Sequence, residues 1–577
     1  MNPQFDNEKK FSGFQSWSKM AVTLTHFEIQ NVKAPNLGEK IPAAVVAEVG
    51  FTTSGMKSGL KLEWDSLREH DVVFLVSFEG GRDEDSDHFP AQLGIKHVRG
   101  CEVTKMFDED RKEYDSAEIS GKSSAQGYKR TFHLELDPAQ YKLDADAAGE
   151  DSDAYGTFHM LVRRKAKENN FKSVLDTIRN LINSKTVIPD FLEDIFLGYG
   201  DPASASYTNI DQEGLEIDLK DTFINEEHFK SSFTSNEAIP EKIRSLPSPE
   251  YLKQEKELGD NEHLRNFWSS KRNRIEFTPT QVSGIVSGTH HGLSVIVGPP
   301  GTGKTDVAVQ IVSLLYHNFP EQRTLLVTHS NHALNDLFTK ISNLDIDPRY
   351  LLRLGMGEKD LDTDQDFSKN GRVNFMLSRR MFLLHEVLTL AHSLGVTTHK
   401  EYTCESANIF FKFHVQSRWD TFLDALSRIE ESPETAKSLA SIFPFKKYFV
   451  TSSQYSNVWN GDEEKLFTQK DRSFDMDLAE KYWAKIQAIF TELEECYAFE
   501  LLRSFKERGN YLITKQAKII AMTCTHAALK RKELVELGFG YDNIVMEESA
   551  QILEVETFIP LLLQKPKDDI SRLKRVV

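Results

Sequence analysis

The residues best suited to chemistry are Gly298-Pro299-Pro300-Gly301-Thr302-Gly303-Lys304-Thr305. Glycines at 298, 301 and 303 allow consecutive backbone N–H groups to close around phosphate oxygens. A helix beginning at such a turn adds the positive end of its dipole. Lys304 is then placed to reach β- and γ-phosphates, and the Thr305 hydroxyl to ligand Mg²⁺. The pattern predicts an ATP–Mg²⁺ site in which Gly298, Gly301, Thr302, Gly303, Lys304 and Thr305 surround the phosphates.

A second group, Glu547-Glu548-Ser549-Ala550-Gln551, ends an apolar run. P-loop enzymes use an acidic pair there. Glu547 is expected to hold the metal, and Glu548 to orient and deprotonate water. Gln551 is counted with the nucleotide contacts. Adjacent acids after a strand are ordinary surface decoration when they stand alone; the P-loop upstream in the same α/β pattern gives these a role. Phe277-Thr278-Pro279-Thr280-Gln281 precedes the P-loop, and the Gln281 carboxamide could pair with both atoms of an adenine edge. Without the P-loop it would read as a polar residue at a helix start.

Two further segments, Thr328-His329-Ser330-Asn331 and Thr523-Cys524-Thr525-His526, follow apolar strands. Hydroxyl, amide and imidazole groups at strand ends can hydrogen-bond the phosphates of a single strand. Thr328, Ser330, Asn331, Thr523 and His526 are therefore candidate contacts for a nucleic-acid strand, although each alone could simply cap a helix.

Several elements must position these groups. A strand over Leu293–Val297 leads into the P-loop and a helix over Thr305–Tyr316. Further strands are expected at Thr324–Thr328, Ile519–Thr523 and Asn543–Met546, an alternation that predicts a parallel α/β sheet. About 140 residues of helical periodicity interrupt it, with long helices near Met381–Leu394 and Leu478–Leu502 that could pair antiparallel. Ahead of the sheet, Phe27-Glu28-Ile29, Ala44–Val49, Val72–Val76 and Phe132–Leu136 read as short strands of a small barrel. That barrel is either a nucleic-acid-contacting accessory domain or a packing module. The fold class expected is thus multidomain α/β: a RecA-like P-loop sheet with a helical insertion, preceded by a β-barrel. The boundaries read as 1–162 barrel, 163–250 helical segment and poorly ordered connector, 251–373 first part of the lobe, 374–511 insertion and 512–577 remainder.

A chain of 577 residues is too long for one core, and 39% hydrophobic with 27% charged residues is ordinary for globular protein. The formal charge of −18 argues against a simple electrostatic nucleic-acid binder, without excluding one basic groove on an acidic body. Runs such as Asp83-Glu84-Asp85 and Glu150-Asp151-Ser152-Asp153 read as solvated loops, and Arg163-Arg164-Lys165-Ala166-Lys167 as a basic helix start. No run is long and apolar enough to span a membrane. The four cysteines sit at no metal-ligand spacing, which points to a reducing compartment.

In order and type these motifs resemble the superfamily 1 helicases of the nonsense-mediated-decay type, and most closely their Aquarius-like spliceosomal branch. Gly298 to Asn331, Arg353-Leu354-Gly355, Ala521 to Lys530 and Gln551 to Pro560 carry the likeness. Lys167 to Lys172 and Leu197 to Pro202 extend it toward the N-terminus. The resemblance implies an ATP-dependent RNA helicase of the nucleus, acting in pre-mRNA splicing on single-stranded intron RNA among spliceosomal proteins. Glu547 stands where most of the superfamily has Asp, but Aquarius-like proteins also have Glu; Ser549 replaces a family Ala. The resemblance places a helical-repeat region before the barrel, and a Gln-Leu-Pro-Pro motif and a second lobe beyond Val577. It therefore implies a fragment that binds ATP–Mg²⁺ but turns over poorly. Two alternatives are a non-catalytic RNA- or protein-binding module with a vestigial nucleotide pocket, and an AAA-type ring ATPase. The Gln281 element and the Glu-Glu-Ser-Ala-Gln form weigh against the ring ATPase.

Overall fold

In the strand Lys129–Leu136 every second residue (Arg130, Phe132, Leu134, Leu136) is buried, as a strand covered on one face requires. The computed structural model that gives this pattern describes residues 2–5, 11–15, 18–67, 71–79, 94–114, 125–147, 154–156, 158–164, 172–182, 186–212, 215–233, 243–244, 275–396, 400–428, 435–452, 455, 463–467, 472–567 and 570–577. The acidic runs at Asp83 and Glu150, the basic stretch Lys165-Ala166-Lys167 and all but the last residue of Lys167 to Lys172 lie outside the described residues. The chain divides into two compact units, Met1–Asp176 and Thr177–Val577.

In the first unit a short hairpin, β1 (Asn2–Phe5) and β2 (Phe11–Gln15), precedes six longer strands. These are β3 (Ala21–Lys33), β4 (Ala44–Thr52), β5 (Val72–Phe78), β6 (Ile95–Phe107), β7 (Lys129–Leu136) and β8 (Phe158–Arg163). They pair antiparallel in the order β3-β4-β7-β6-β5-β8 and close into a barrel when β8 meets β3. Closure leaves no unpaired edge, and the inward residues Val49, Phe51, Leu75, Val103, Phe132 and Leu161 fill the interior. Arg130 also points inward. It is held there by Asp65, whose carboxylate accepts from Nε at 2.7 Å, so the buried charge is paired.

The second unit carries a two-stranded ladder of β9 (Ile217–Asp218) and β10 (Ile243–Arg244), and a six-stranded parallel sheet. The sheet runs β11-β16-β15-β12-β14-β13, with β11 (Gly292–Leu293), β12 (Thr324–Thr328), β13 (Leu351–Arg353), β14 (Ile519–Thr523), β15 (Asn543–Met546) and β16 (Arg575–Val576). All five residues of β12 and all five of β14 are buried, as central strands covered on both faces must be. Helices α1 (Pro279–Thr289), α2 (Lys304–Asn318), α3 (Asn331–Ser342), α4 (Lys369–Ser393), α5 (Arg472–Leu501) and α6 (Cys524–Leu537) accompany them.

The expected helical insertion lies between β13 and β14. Its long helices α4 and α5 are tied by Arg379–Glu492 and Arg380–Glu500 ion pairs at 2.7 and 2.8 Å. On α5 the buried residues Leu478, Tyr482, Ile486, Leu493 and Cys496 recur every three to four positions or a multiple of that, which packs one face. Arg323, buried at the start of β12, fastens the end of the insertion to the sheet. Its guanidinium donates to the carbonyls of Ile513, Thr514, Ala517 and Gly540.

Three expectations need correction. The strand before the P-loop is Gly292–Leu293 and not Leu293–Val297: its ladder with β16 ends where Ser294 N donates to Val576 O, and Val295 and Val297 are exposed. Helix α2 starts one residue earlier and runs two residues further than Thr305–Tyr316. The supposed connector is also partly core. Leu215, Ile217, Leu219 and Phe223 are buried with Phe277, Val282, Ile285 and Ile311. Of this segment only Ile217–Asp218 is strand, and the acidic and other polar residues around its apolar positions disguised a segment that packs on the lobe.

Candidate nucleotide and nucleic-acid site

Parallel register sets the whole site along one sheet edge. Val327 of β12 lies opposite Met546 of β15, and Thr328 lies opposite Thr523 of β14. The chain therefore leaves β15 at Glu547 beside Thr328, and Glu547 N donates to Val327 O at 3.1 Å. Ligands of open α/β sheets sit beyond such carboxyl ends.

The P-loop turns on residues that must lack a side chain. Gly303, at φ 75° and ψ 23°, caps α2, and a Cβ there would stand 2.8 Å from Gln281 Nε2. A Cβ on Gly298 would meet Thr302 Oγ1 at 2.6 Å, and Gly301 has φ 81°. Lys304 folds back over the loop, its ammonium donating to the carbonyls of Gly298 at 2.6 Å and Pro299 at 3.0 Å. Loop carbonyls thus hold the Lys304 ammonium over the turn.

Thr305 Oγ1 donates to Glu547 Oε1 at 2.5 Å. Burial pushes the Glu547 carboxyl above the usual range. The Thr305 hydrogen bond pulls the other way, and the neighbouring Glu548 adds to the rise. A hydroxyl and a carboxylate converging at a phosphate cradle form the hard oxygen set that suits Mg²⁺, so the residues fit that ion. Glu548 follows at φ 55° and ψ 33°, a left-handed conformation rare outside glycine, and its side chain is exposed. Gln551 is exposed one turn later, its backbone N–H closing onto Glu548 O at 2.9 Å.

Gln281 has a double attachment. Its Oε1 accepts from Thr278 N at 2.8 Å, completing a capping box on α1, and its Nε2 donates to Thr302 O at 3.0 Å. One lone pair and one N–H remain, enough for a further bidentate contact.

The structure gives several of the candidate RNA contacts local duties. Thr328 is fully buried and donates to Ser330 O at 2.7 Å; Ser330 caps α3 through Ala333 N; Thr523 caps α6 through His526 N. Asn331 is exposed at the start of α3, and His526 Nδ1 lies against Gly355. Sequence reasoning gave no role to the residues beneath them. Arg353, with no exposed surface, donates to Asn331 Oδ1 at 2.8 Å and Asn335 Oδ1 at 3.2 Å, and burial lowers its guanidinium to about 10. Lys340 Nζ, 2.6 Å from Asp306, brings a cation toward Glu547. A charged residue in a three-residue strand offered no periodic signal that could have flagged Arg353. The four cysteines are buried free thiols, and among the described residues no helix is long and apolar enough to cross a membrane.

The comparisons agree with this anatomy. The family model described as "Intron-binding protein aquarius, beta-barrel" matches residues 2–164, and one described as "AAA domain" matches residues 269–568. The chain is 45% identical to the mouse (Mus musculus) protein named RNA helicase aquarius, over 97% of its own length and 40% of the relative's. It is 23% identical to the pre-mRNA-splicing factor cwf11 of Schizosaccharomyces pombe, over 92% of the chain and 40% of the relative. A DNA polymerase alpha-associated DNA helicase A of Saccharomyces cerevisiae matches at 25% over 24% of the chain and 21% of that relative. The chain spans about 40% of the length of the first two relatives. With the AAA-domain model covering more than half of its residues, the chain belongs to the AAA-domain family, and its barrel matches the aquarius β-barrel model.

Proposed function

We propose that this chain is the nucleotide-binding lobe and barrel of an ATP-dependent RNA helicase of pre-mRNA splicing, working in the nucleus on intron RNA among spliceosomal proteins. The names of the relatives and the intron-binding description of the barrel support the RNA and splicing part of this reading. The observation that carries the chemical part is the Thr305–Glu547 contact, which joins the P-loop to the acidic pair at one sheet edge.

In this reading the backbone N–H groups from Gly301 to Thr305 bind the phosphates, and Lys304 exchanges the carbonyls of Gly298 and Pro299 for phosphate oxygens. Thr305 and Glu547 hold Mg²⁺, which neutralises phosphate charge when bound. Glu548 orients water and accepts its proton, and Gln281 and Gln551 bind the nucleotide. Asn331, His526 and the Thr328, Ser330 and Thr523 turns hold RNA phosphates, with the three hydroxyls acting mainly by shaping the loops.

Calorimetry of ATP–Mg²⁺ binding tests the reading. Lys304→Ala should weaken affinity by about 10- to 100-fold, the worth of one or two charge-assisted hydrogen bonds. Equal affinity in the variant and the parent would overturn it.

A further inference from the structure

Loops leave the sheet edge after β12 and β13, and one buried side chain joins the two. Arg353 ends β13, and its guanidinium reaches the start of α3 after β12 and the loop after its own strand. Nη2 donates to Asn331 Oδ1 at 2.8 Å, Nε to Asn335 Oδ1 at 3.2 Å, and Nη1 to the carbonyl of Leu354. Asn335 in turn donates through Nδ2 to Gly357 O at 2.6 Å.

The chemistry of arginine fixes which way Asn331 faces. A guanidinium has only donors, so the amide oxygen must turn toward it. The Asn331 NH₂ group is then left at the exposed start of α3, offering two donors. The fit is close enough that neighbouring positions require glycine. A Cβ on Gly357 would stand 2.5 Å from Asn331 Oδ1, and Gly355, at φ 103°, lies against His526 Nδ1 and Arg353 Nη1.

We infer that Arg353 is a positioning residue for nucleic-acid binding: it holds the Asn331 amide with its NH₂ donors outward, where they meet a backbone phosphate of single-stranded RNA. This rests on the reading of Asn331 as a phosphate contact. A carboxylate in place of the amide would pair with Arg353 equally well but would present oxygen to an anion. An apolar residue in place of Arg353 would free the amide to flip. The positive charge beneath the amide also strengthens its N–H donors, and an arriving phosphate meets that charge through Asn331 instead of directly.

The test uses the full chain and a fluorescent single-stranded oligouridylate, with binding read by anisotropy and ATP–Mg²⁺ affinity read separately. Asn331→Ala and Arg353→Met should each weaken RNA binding by about tenfold, the worth of one charge-assisted contact, and leave ATP affinity within about twofold. The double variant should be no weaker than the worse single, because both changes remove one contact. Asn331→Asp should match the parent's melting temperature and still lose RNA binding, which separates donor orientation from folding. Additive losses in the double variant, unchanged binding in Arg353→Met, or full binding in Asn331→Asp would overturn the role of Arg353. Unchanged binding in Asn331→Ala would overturn the phosphate contact itself.

Discussion

The Thr305 hydroxyl donates to Glu547 Oε1 across 2.5 Å, joining two residues 242 positions apart in the sequence. Nothing local holds them together. The contact exists because β15 enters the sheet beside β12, and Glu547 continues that ladder by donating its N–H to Val327 O. A carboxylate thereby stands at the first turn of α2, where the helix dipole favours negative charge while burial opposes it.

Burial wins, and the Glu547 carboxyl is raised above 4.5. The cost of its charge is absent below the unfolded-state pKa and fully present above the folded-state value. At neutral pH the metal-free Glu547→Gln variant should therefore melt higher than the parent in scanning calorimetry. That gain should vanish as pH falls through the carboxyl's titration. Its Mg²⁺-dependent ATP affinity should fall by about 10- to 100-fold. In the parent, Mg²⁺ affinity should climb with pH until Glu547 is ionised, above the ordinary carboxylate range. A variant that melts lower at neutral pH would mean that the charge stabilises the fold.

Gln281 carries a cap and a loop contact at once, so its two substitutions should part company. Gln281→Ala loses the capping box on α1 and should cost about 1 kcal/mol of stability. Gln281→Glu retains an acceptor for Thr278 N but cannot donate to Thr302 O or to an adenine ring nitrogen. Both should lose preference for ATP over GTP in competition binding, while only the alanine variant loses the cap. An ATP-to-GTP ratio unchanged in both would reduce Gln281 to a helix cap.

How much of this was legible beforehand followed from length and burial. Thr324–Thr328, Ile519–Thr523 and Asn543–Met546 are apolar runs bounded by polar residues, and each strand falls at the expected residues. The P-loop announces its own turn through Gly301 and Gly303 at positive φ. The sequence concealed β13 and β16, of three and two residues, because so short a run has no period. With β13 went the setting of Arg353, and with β16 the early end of β11. Residues 215–223 failed for another reason: their polar neighbours outweigh four apolar positions whose partners lie on α1 and α2.

Arg323 offers a stability prediction that pattern reading would miss. Its guanidinium serves four carbonyls, from Ile513, Thr514, Ala517 and Gly540, and its backbone N–H is taken by Asp542 at 2.9 Å. These groups lie at the starts of β12 and β15 and at the end of the insertion. Arg323→Met would leave buried carbonyls without donors and should cost about 3–5 kcal/mol in urea unfolding. Arg323→Lys keeps the charge without the fork and should recover less than half of that loss. A loss below about 1 kcal/mol in Arg323→Met would show that the insertion is secured elsewhere.

Glu548 gives the final prediction, because its backbone and its proposed chemistry pull in opposite directions. At φ 55° and ψ 33° a glutamate bears left-handed strain, of order 1 kcal/mol, that asparagine or glycine bears more easily. The turn is fixed by its surroundings: Glu547 is locked to β12, and Gln551 N–H closes onto Glu548 O. The strain is thus held at the position where the second acid must emerge from the sheet edge. Glu548→Asn should equal or exceed the parent in thermal stability by up to about 1 kcal/mol, and should bind ATP–Mg²⁺ within about twofold. Any ATP hydrolysis by the parent should fall by about 100-fold or more, since the amide cannot take the proton from water. The proof lies in the pairing of the two measurements. A variant that is less stable would place the strain elsewhere, and one that hydrolyses ATP at the parental rate would remove Glu548 from the chemistry.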